Sequence, residues 1–299
     1  MRVATHDGSF HADEVFAIAA LRLLGEPLEI VRTRDAEALA ACDLCVDVGF
    51  AYEPAAGHFD HHQRQFAEQR TNGVGFASFG LVWREYGVRV SGGDEEAADQ
   101  VDRVLVQGID ANDVGQAVAS ALIEDVRPPM AVSDVIAGLN ARWDEDLTPE
   151  QERARFDEAV ALSAGILARE VASAASGRKA ARLVEQAITG AQDPRVVELA
   201  ENVPWKQVVV PGAPEALFVI YPKRQGFGLE AVPRELGSFE NRVDLPEAWA
   251  GLDGPELAQL TGVPDALFCH AKRFLAVARS REGVGALAEQ ALSTTAWTA

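Results

Sequence analysis

The chain reads as an α/β protein of two lobes, and three observations carry that reading. Short apolar stretches alternate with helix-patterned ones through the first third of the chain, the pattern of a mainly parallel sheet with crossover helices. A long stretch rich in Ala, Glu and Arg follows, and the strand pattern returns after Asp193-Pro194. At 299 residues and 48% apolar content there is enough chain for two cores. The expected organisation is a first domain over 1–130, a helical connector over 131–200 and a smaller α/β lobe over 201–299.

Arg2 to His6 reads as the first strand, and Asp13 to Leu24 carries Val15, Phe16, Ile18, Ala19 and Leu23 at helical spacing. Between them lies His6-Asp7-Gly8-Ser9-Phe10-His11-Ala12-Asp13. A strand that breaks at a glycine turn and feeds a helix delivers polar residues to the carboxyl edge of the sheet, where open α/β proteins bind ligands. His6, His11 and Asp13 converge there, and Asp13 is also placed to cap the helix. Leu28 to Thr33 is a second strand, Ala36 to Ala41 a short helix and Leu44 to Val48 a third strand. Asp47, flanked by valines at the end of that strand, is costly to bury unless it is paired or binds a cation. Arg32 and Arg34 are either its partners or contacts for a phosphate.

Next comes His58-Phe59-Asp60-His61-His62-Gln63-Arg64, in a chain whose six histidines include five within the first 62 residues. That skew marks a site. Thr71-Asn72-Gly73-Val74-Gly75 lacks the Lys and the spacing of a Walker motif and reads as a turn. Helices are expected from Ser78 to Tyr86 and from Asp94 to Gln107. Past them, Asp110 is the preferred ligand candidate over Asp113, because it comes first after the apolar segment.

His6, His11, Asp13, Asp47, His61 and Asp110 make six nitrogen or carboxylate donors, too many for one tetrahedral zinc. Two divalent ions about 3.5 to 4 Å apart, bridged by Asp47, would use them all. Imidazole and carboxylate donors without thiolate favour Mn²⁺, with Mg²⁺ or Co²⁺ as alternatives. The three cysteines do not alter this: Cys42 and Cys45, although spaced C-x-x-C, read as strand thiols with no second pair.

Beyond Pro128-Pro129, Ser133 to Asn140 reads as a short helix, and Thr148-Pro149-Glu150 starts a helix running to about Gly190. That segment is read as packing and spacing, with a homo-oligomer contact as the alternative. Strands are expected at Gln207 to Val210, Leu217 to Tyr221, Gly228 to Val232, Ala266 to His270 and Phe274 to Ala278, closed by a helix from Glu282 to Leu292. Arg242, Lys272 and Arg273 are among the basic residues gathered in this lobe, as a phosphate-facing patch or as solvated surface. Phe227, Phe239, Trp249 and Phe274 are candidates either for base stacking or for the core.

A net charge of −19 argues against coating long duplex DNA. No apolar run of the roughly 20 residues a membrane span needs is seen, and the N-terminus enters the first strand directly, so a cytoplasmic protein is expected.

The motifs Thr5-His6-Asp7-Gly8-Ser9-Phe10-His11-Ala12-Asp13-Glu14, Arg32-Thr33-Arg34-Asp35 and Asp60-His61-His62-Gln63-Arg64 resemble the DHH phosphoesterase superfamily, and within it the melanocyte-proliferating-gene branch of metal-dependent 3′-5′ exonucleases. Ser238-Phe239-Glu240-Asn241-Arg242, Leu245-Pro246-Glu247-Ala248-Trp249 and Phe268-Cys269-His270-Ala271 extend the resemblance over nearly the whole chain. It implies a two-lobe DHH-like fold that acts on short single-stranded RNA or DNA. It further implies that His6, His11 and Asp47 hold one metal and that Asp13, Asp47, His61 and Asp110 hold the other. His62 would face the phosphate with Asp60 orienting an imidazole. Arg34, Arg64, Arg242, His270 and Lys272 are candidates for binding substrate on their own chemistry, as donors to phosphate. The alternatives are a small nucleotide, cyclic dinucleotide or pyrophosphate as substrate, and a non-catalytic nucleotide sensor. Lys272-Arg273 and Ala276-Val277 stand where the branch is small and glycine-rich, which bears on substrate choice.

Overall fold

A computed structural model describes residues 1–116, 119 and 125–294. It is a mixed α/β structure with two five-stranded sheets, and it divides into two units, Met1–Ser176 and Gly177–Ala299.

In the first unit, β1 (Arg2–Thr5) leads into α1 (Ala12–Leu23), β2 (Glu29–Arg32), α2 (Ala36–Ala40) and β3 (Leu44–Val46). Two short strands follow, β4 (Tyr52–Glu53) and β5 (His58–Phe59), the latter within the histidine-rich stretch itself. The sheet order is β2-β1-β3-β5-β4, parallel throughout except for the antiparallel edge strand β4. The chain steps outward from β1 to β2 and then returns to β1's other side to form β3. The crevice at the carboxyl ends of β1 and β3 is therefore the topological switch point, the ligand position in open α/β sheets. His6 follows β1 and Asp47 follows β3.

Every residue of α1 from Ala12 to Leu21 is buried, the carboxylates Asp13 and Glu14 of its first turn included. It packs on α3 (Ser78–Val90), where the Phe16 and Phe79 rings lie 5.5 Å apart. Next, α4 (Glu95–Val101), a π-helical turn at Asp102–Val106 and α5 (Gln107–Asp113) run on as one helical rod. The helix expected to end at Gln107 thus continues to Asp113. After α6 (Val132–Ala137), α7 (Pro149–Thr189) crosses the unit boundary. Phe156, Val160, Leu167 and Ala174 of α7 belong to the first core and Val184 to a core of the second unit, so the boundary falls inside the expected connector. Contrary to the sequence expectation, α7 is long and apolar enough to cross a membrane by length and composition, but its buried stripe packs into the first core.

The second unit contains β6 (Val196–Glu198), α8 (Lys206–Gly212), β7 (Phe218–Lys223), β8 (Gly226–Ala231), α9 (Gly254–Thr261), β9 (Ala266–Cys269), β10 (Leu275–Ala278) and α10 (Arg281–Ser293). Its sheet order is β6-β7-β8-β10-β9, antiparallel apart from β6 beside β7. Alternate β7 residues serve opposite faces: Phe218 and Ile220 enter one core, Val219 and Tyr221 another.

Residues 207–210, expected as a strand, are helical in α8. Trp205 and Val209, four residues apart, face the same core, and that helical spacing outweighs the β-branched valines. Arg242, expected to bind substrate, is instead committed to this helix end. Its guanidinium donates to the carbonyls of Val210 (2.6 Å) in the last turn, of Ala213 (2.6 Å) at the C-cap and of Ala216 (2.7 Å) in the turn that follows. Trp249 is buried in the core, Phe239 is exposed and Phe274 lies against His270, ring centres 4.4 Å apart. Arg242→Met should lower unfolding stability by about 2–3 kcal/mol, because three acceptors lose a charged donor. Urea unfolding of the full chain measures this.

Candidate metal centre

The site assembles from five segments of the first unit. From β1 comes His6, whose Nδ1 lies 3.0 Å from the Asp7 carbonyl. Donation there directs Nε2 at Glu14 Oε1 (3.0 Å) and Asp47 Oδ2 (3.4 Å). At the start of α1, His11 and Glu14 form a capping box in which the His11 amide donates to the Glu14 carboxylate at 3.0 Å. Asp13, buried beside them, accepts the amides of Ser78 (2.8 Å) and Phe79 (2.7 Å), so the first turn of α3 directs its partial positive charge at this carboxylate.

Asp47 is the hub. It sits at φ 58, a backbone region that non-glycine residues rarely adopt, and this conformation turns its carboxylate into the crevice. Oδ1 accepts the Ser78 hydroxyl at 3.1 Å and lies 3.4 Å from His61 Nε2 and 3.3 Å from His62 Nδ1. Asp60 holds His62: its Oδ1 takes the ring Nδ1 at 2.8 Å and the His62 amide at 3.0 Å, while Oδ2 takes the Phe50 amide at 2.6 Å.

Three ligand groups result, each with donor atoms within 4.8 Å of one another: His6, His11, Glu14 and Asp47; Asp47, His61 and His62; Asp13, His61 and Asp113. Asp47 is common to the first two and His61 to the last two. This donor set fits divalent cations. Among the described residues, Asp13, Glu14 and Asp47 have no Arg or Lys ion pair, and buried His61 Nε2 has no well-formed hydrogen bond although three carboxylates surround it. Carboxylates so concentrated and so little neutralised are costly to keep dry without a cation.

Six of the expected residues, His6, His11, Asp13, Asp47, His61 and His62, meet here with Asp60 behind them. Asp110 stands apart. Its Oδ2 lies 2.8 Å from Arg70 Nη1 and its Oδ1 accepts the Gly80 amide at 2.9 Å. Asp113 takes the place next to His61, at 3.1 Å. The two residues are one helical turn apart on α5 and so share a face, but they are displaced by about 4.5 Å along the axis, which places Asp113 beside His61 and Asp110 beside Arg70. Glu14 and Ser78 were also missed; a carboxylate beside Asp13 in the first turn of a helix at the switch point was the available signal. Arg34 lies 3.1 Å from Asp7, and Arg64 is exposed. His270 and Lys272 lie in the second unit, where the Lys272 amide donates to His270 Nδ1 at 3.1 Å. Cys42 and Cys45 are free thiols that donate to the Ala38 and Leu39 carbonyls.

The electrostatics follow from burial and crowding. Burial opposes charge on His6, but Asp47 and Glu14 hold it up to about 10; burial likewise opposes charge on His61, and Asp113 and Asp47 hold it up to about 11. Burial also opposes ionisation of Asp47, yet His6 and His61 keep its carboxyl below the usual range. Asp13 is pushed up by burial and then by Asp47, Asp113 and Asp110. Burial lifts Asp110 to about 7 against the pull of Arg70.

A buried histidine–carboxylate cluster able to hold metal, at the switch point of an α/β sheet, defines the class of protein. The family model described as "Uncharacterised protein family (UPF0160)", MYG1_exonuc, matches residues 2–292, and the chain belongs to this family. It is 35% identical over 339 aligned positions to the human protein named MYG1 exonuclease, covering 98% of this chain and 86% of that one. It is 32% identical to a Saccharomyces cerevisiae MYG1 protein (98% and 96% covered) and 31% identical to the MYG1 protein of Chlamydia muridarum (94% and 92%). No solved structure matches the chain.

Asp113→Asn should weaken Mn²⁺ binding by at least about tenfold, whereas Asp110→Asn should weaken it less and lower stability by about 2 kcal/mol through Arg70. Titration calorimetry and denaturant unfolding separate the two. In metal-free protein, His6 and His61 titrate above their ordinary value of 6.5. Their contribution to stability is therefore complete below about pH 6.5 and lost as pH rises through about 10 to 11. Mn²⁺ must displace those protons, so binding at pH 7 should release protons into a weakly buffered solution. Both effects are read by titration.

Proposed function

We propose that this protein is a metal-dependent phosphodiester hydrolase of the DHH type, a 3′-5′ exonuclease on short single-stranded RNA or DNA that uses two divalent ions, Mn²⁺ first, in the cytoplasm. The observation that carries this reading is the sharing of Asp47 between two histidine-containing ligand groups, beside two cavities. One cavity of about 420 Å³ and one of about 330 Å³ are both lined by His11, Asp47 and His62. A scissile bond placed at Asp47 has room for chain in both. The name exonuclease carried by the human and mouse relatives supports a nucleic-acid substrate.

His6, His11, Glu14 and Asp47 would hold one ion, and Asp13, His61 and Asp113 the other, His61 also lying 3.4 Å from Asp47. Such ions supply Lewis acidity, activating the attacking water and neutralising charge on the phosphoryl oxygens. The chain's residues do the rest. Asp60 fixes the His62 ring through Nδ1, so Nε2 is the nitrogen that can donate to a phosphoryl oxygen or to the leaving group. Asp60 raises the His62 pKa above the ordinary histidine value, which favours the donating form. Ser78 and the first amides of α3 hold Asp47 and Asp13 so that they need not reorganise when charge develops.

The test uses chelator-stripped full-length protein, reloaded with Mn²⁺ and incubated with end-labelled oligonucleotides, dinucleotides and pyrophosphate. Stepwise shortening from the 3′ end is expected, and Asp47→Asn should reduce it by at least about a hundredfold with little unfolding. Cleavage of pyrophosphate or dinucleotides alone would move the reading to a small-molecule phosphohydrolase. Nucleotide binding without any cleavage would make the protein a sensor.

A further inference from the structure

We infer that Phe50 is a base-stacking residue that makes this site select nucleotides over phosphate esters lacking a base; the inference rests on the phosphodiesterase reading above and names the substrate feature recognised. Phe50 is 72% exposed, whereas the nearby aromatics Tyr52, Phe59 and Phe66 pack on one another with ring centres 6.1 to 6.4 Å apart. A single exposed aromatic is ordinary, but two further observations set this one apart.

Its backbone lies at φ 54, in the left-handed region that glycine enters freely and a bulky side chain does not. A glycine would satisfy the turn with no strain, so the aromatic at this position is not explained by the fold. Phe50 also lines the same cavity of about 420 Å³ as His6, His11, Asp47 and His62, a volume in the range of small-ligand sites.

The rest of that lining divides by chemistry. Ala36, Leu39 and Val48 are apolar, while Arg34 adds a guanidinium to the imidazole and carboxylate groups. A nucleotide has the same two parts, a flat apolar base and an anionic phosphate. Aromatic faces stack on any base and so give affinity without strong sequence preference. The attachment of Phe50 ties the parts together: its amide donates at 2.6 Å to the Asp60 carboxylate that holds His62 Nδ1 at 2.8 Å. The stacking ring and the phosphate-facing imidazole are thereby referenced to one buried group.

The test measures the affinities of adenosine 5′-monophosphate and ribose 5-phosphate by calorimetry, on full-length protein with Mn²⁺, for wild type, Phe50→Gly and Phe50→Trp. Glycine removes the ring and suits the left-handed backbone, so Phe50→Gly should remain folded, with unchanged Mn²⁺ binding as the check. Wild type should prefer the nucleotide by roughly tenfold. Phe50→Gly should bring the ratio close to unity, and Phe50→Trp should keep it. A ratio that survives in Phe50→Gly, or that is absent in wild type, overturns the inference. Oligonucleotide cleavage run in parallel tells the two readings apart, because a preference that depends on Phe50 without cleavage upholds the stacking role and removes the hydrolase.

Discussion

The carboxylate of Asp47 is what the first unit is arranged around. Its negative charge sits nearly buried between three imidazoles, with a serine hydroxyl on one oxygen and a left-handed backbone at φ 58. Asp13, Glu14, Asp60 and Asp113 lie around the same crevice, and repulsion among such groups at low local dielectric is not offset by a surrounding apolar core. Protons on His6 and His61 offset it, and divalent cations held by the same groups would do so too. The crowding itself makes the crevice a favourable place for a cation.

The helices are arranged to meet this demand. Through its first three amides α3 serves two carboxylates on different elements, Asp13 on α1 and Asp110 on α5. Gly80 permits the second contact, since a Cβ there would lie 1.9 Å from Asp110 Oδ2. Arg70, clamped between Asp102 and Asp110 and stacked on Phe76 at 4.1 Å, closes the far side. Asp110 thus joins α3 to α5 beneath the site, and Asp113 extends from the same helix to His61.

Much of the centre was legible in the sequence because the determining features are local. A strand ending in His6, a second ending in Asp47 and a run of Asp60-His61-His62 are each recognisable within a few residues, and parallel sheet topology brings strand ends together. The errors lie where position depends on how far along a helix a residue stands. Asp110 and Asp113 share a face of α5, and only knowing that residues 107–113 are helical, and which turn lies at the crevice, separates the ligand candidate from the partner of Arg70. Glu14 was hidden by its capping role, since a capping-box glutamate is ordinarily solvated, whereas this one is fully buried. In the second unit, Arg242 looked like a phosphate contact because its three carbonyl partners come from residues 26 to 32 positions away, which no local pattern reveals.

The π-helical turn at Asp102–Val106 takes on a particular meaning in this light. Such a turn accommodates one residue more than an α-helix does, and each residue advances a helix by about 100°. It therefore inserts one residue into a rod whose two halves, α4 and α5, both pack on α3, and it sets the register in which α5 presents its aspartates. Chain length is converted into angle and rise at that point, so that Asp110 meets the Gly80 amide and Arg70 while Asp113, one turn on, reaches His61.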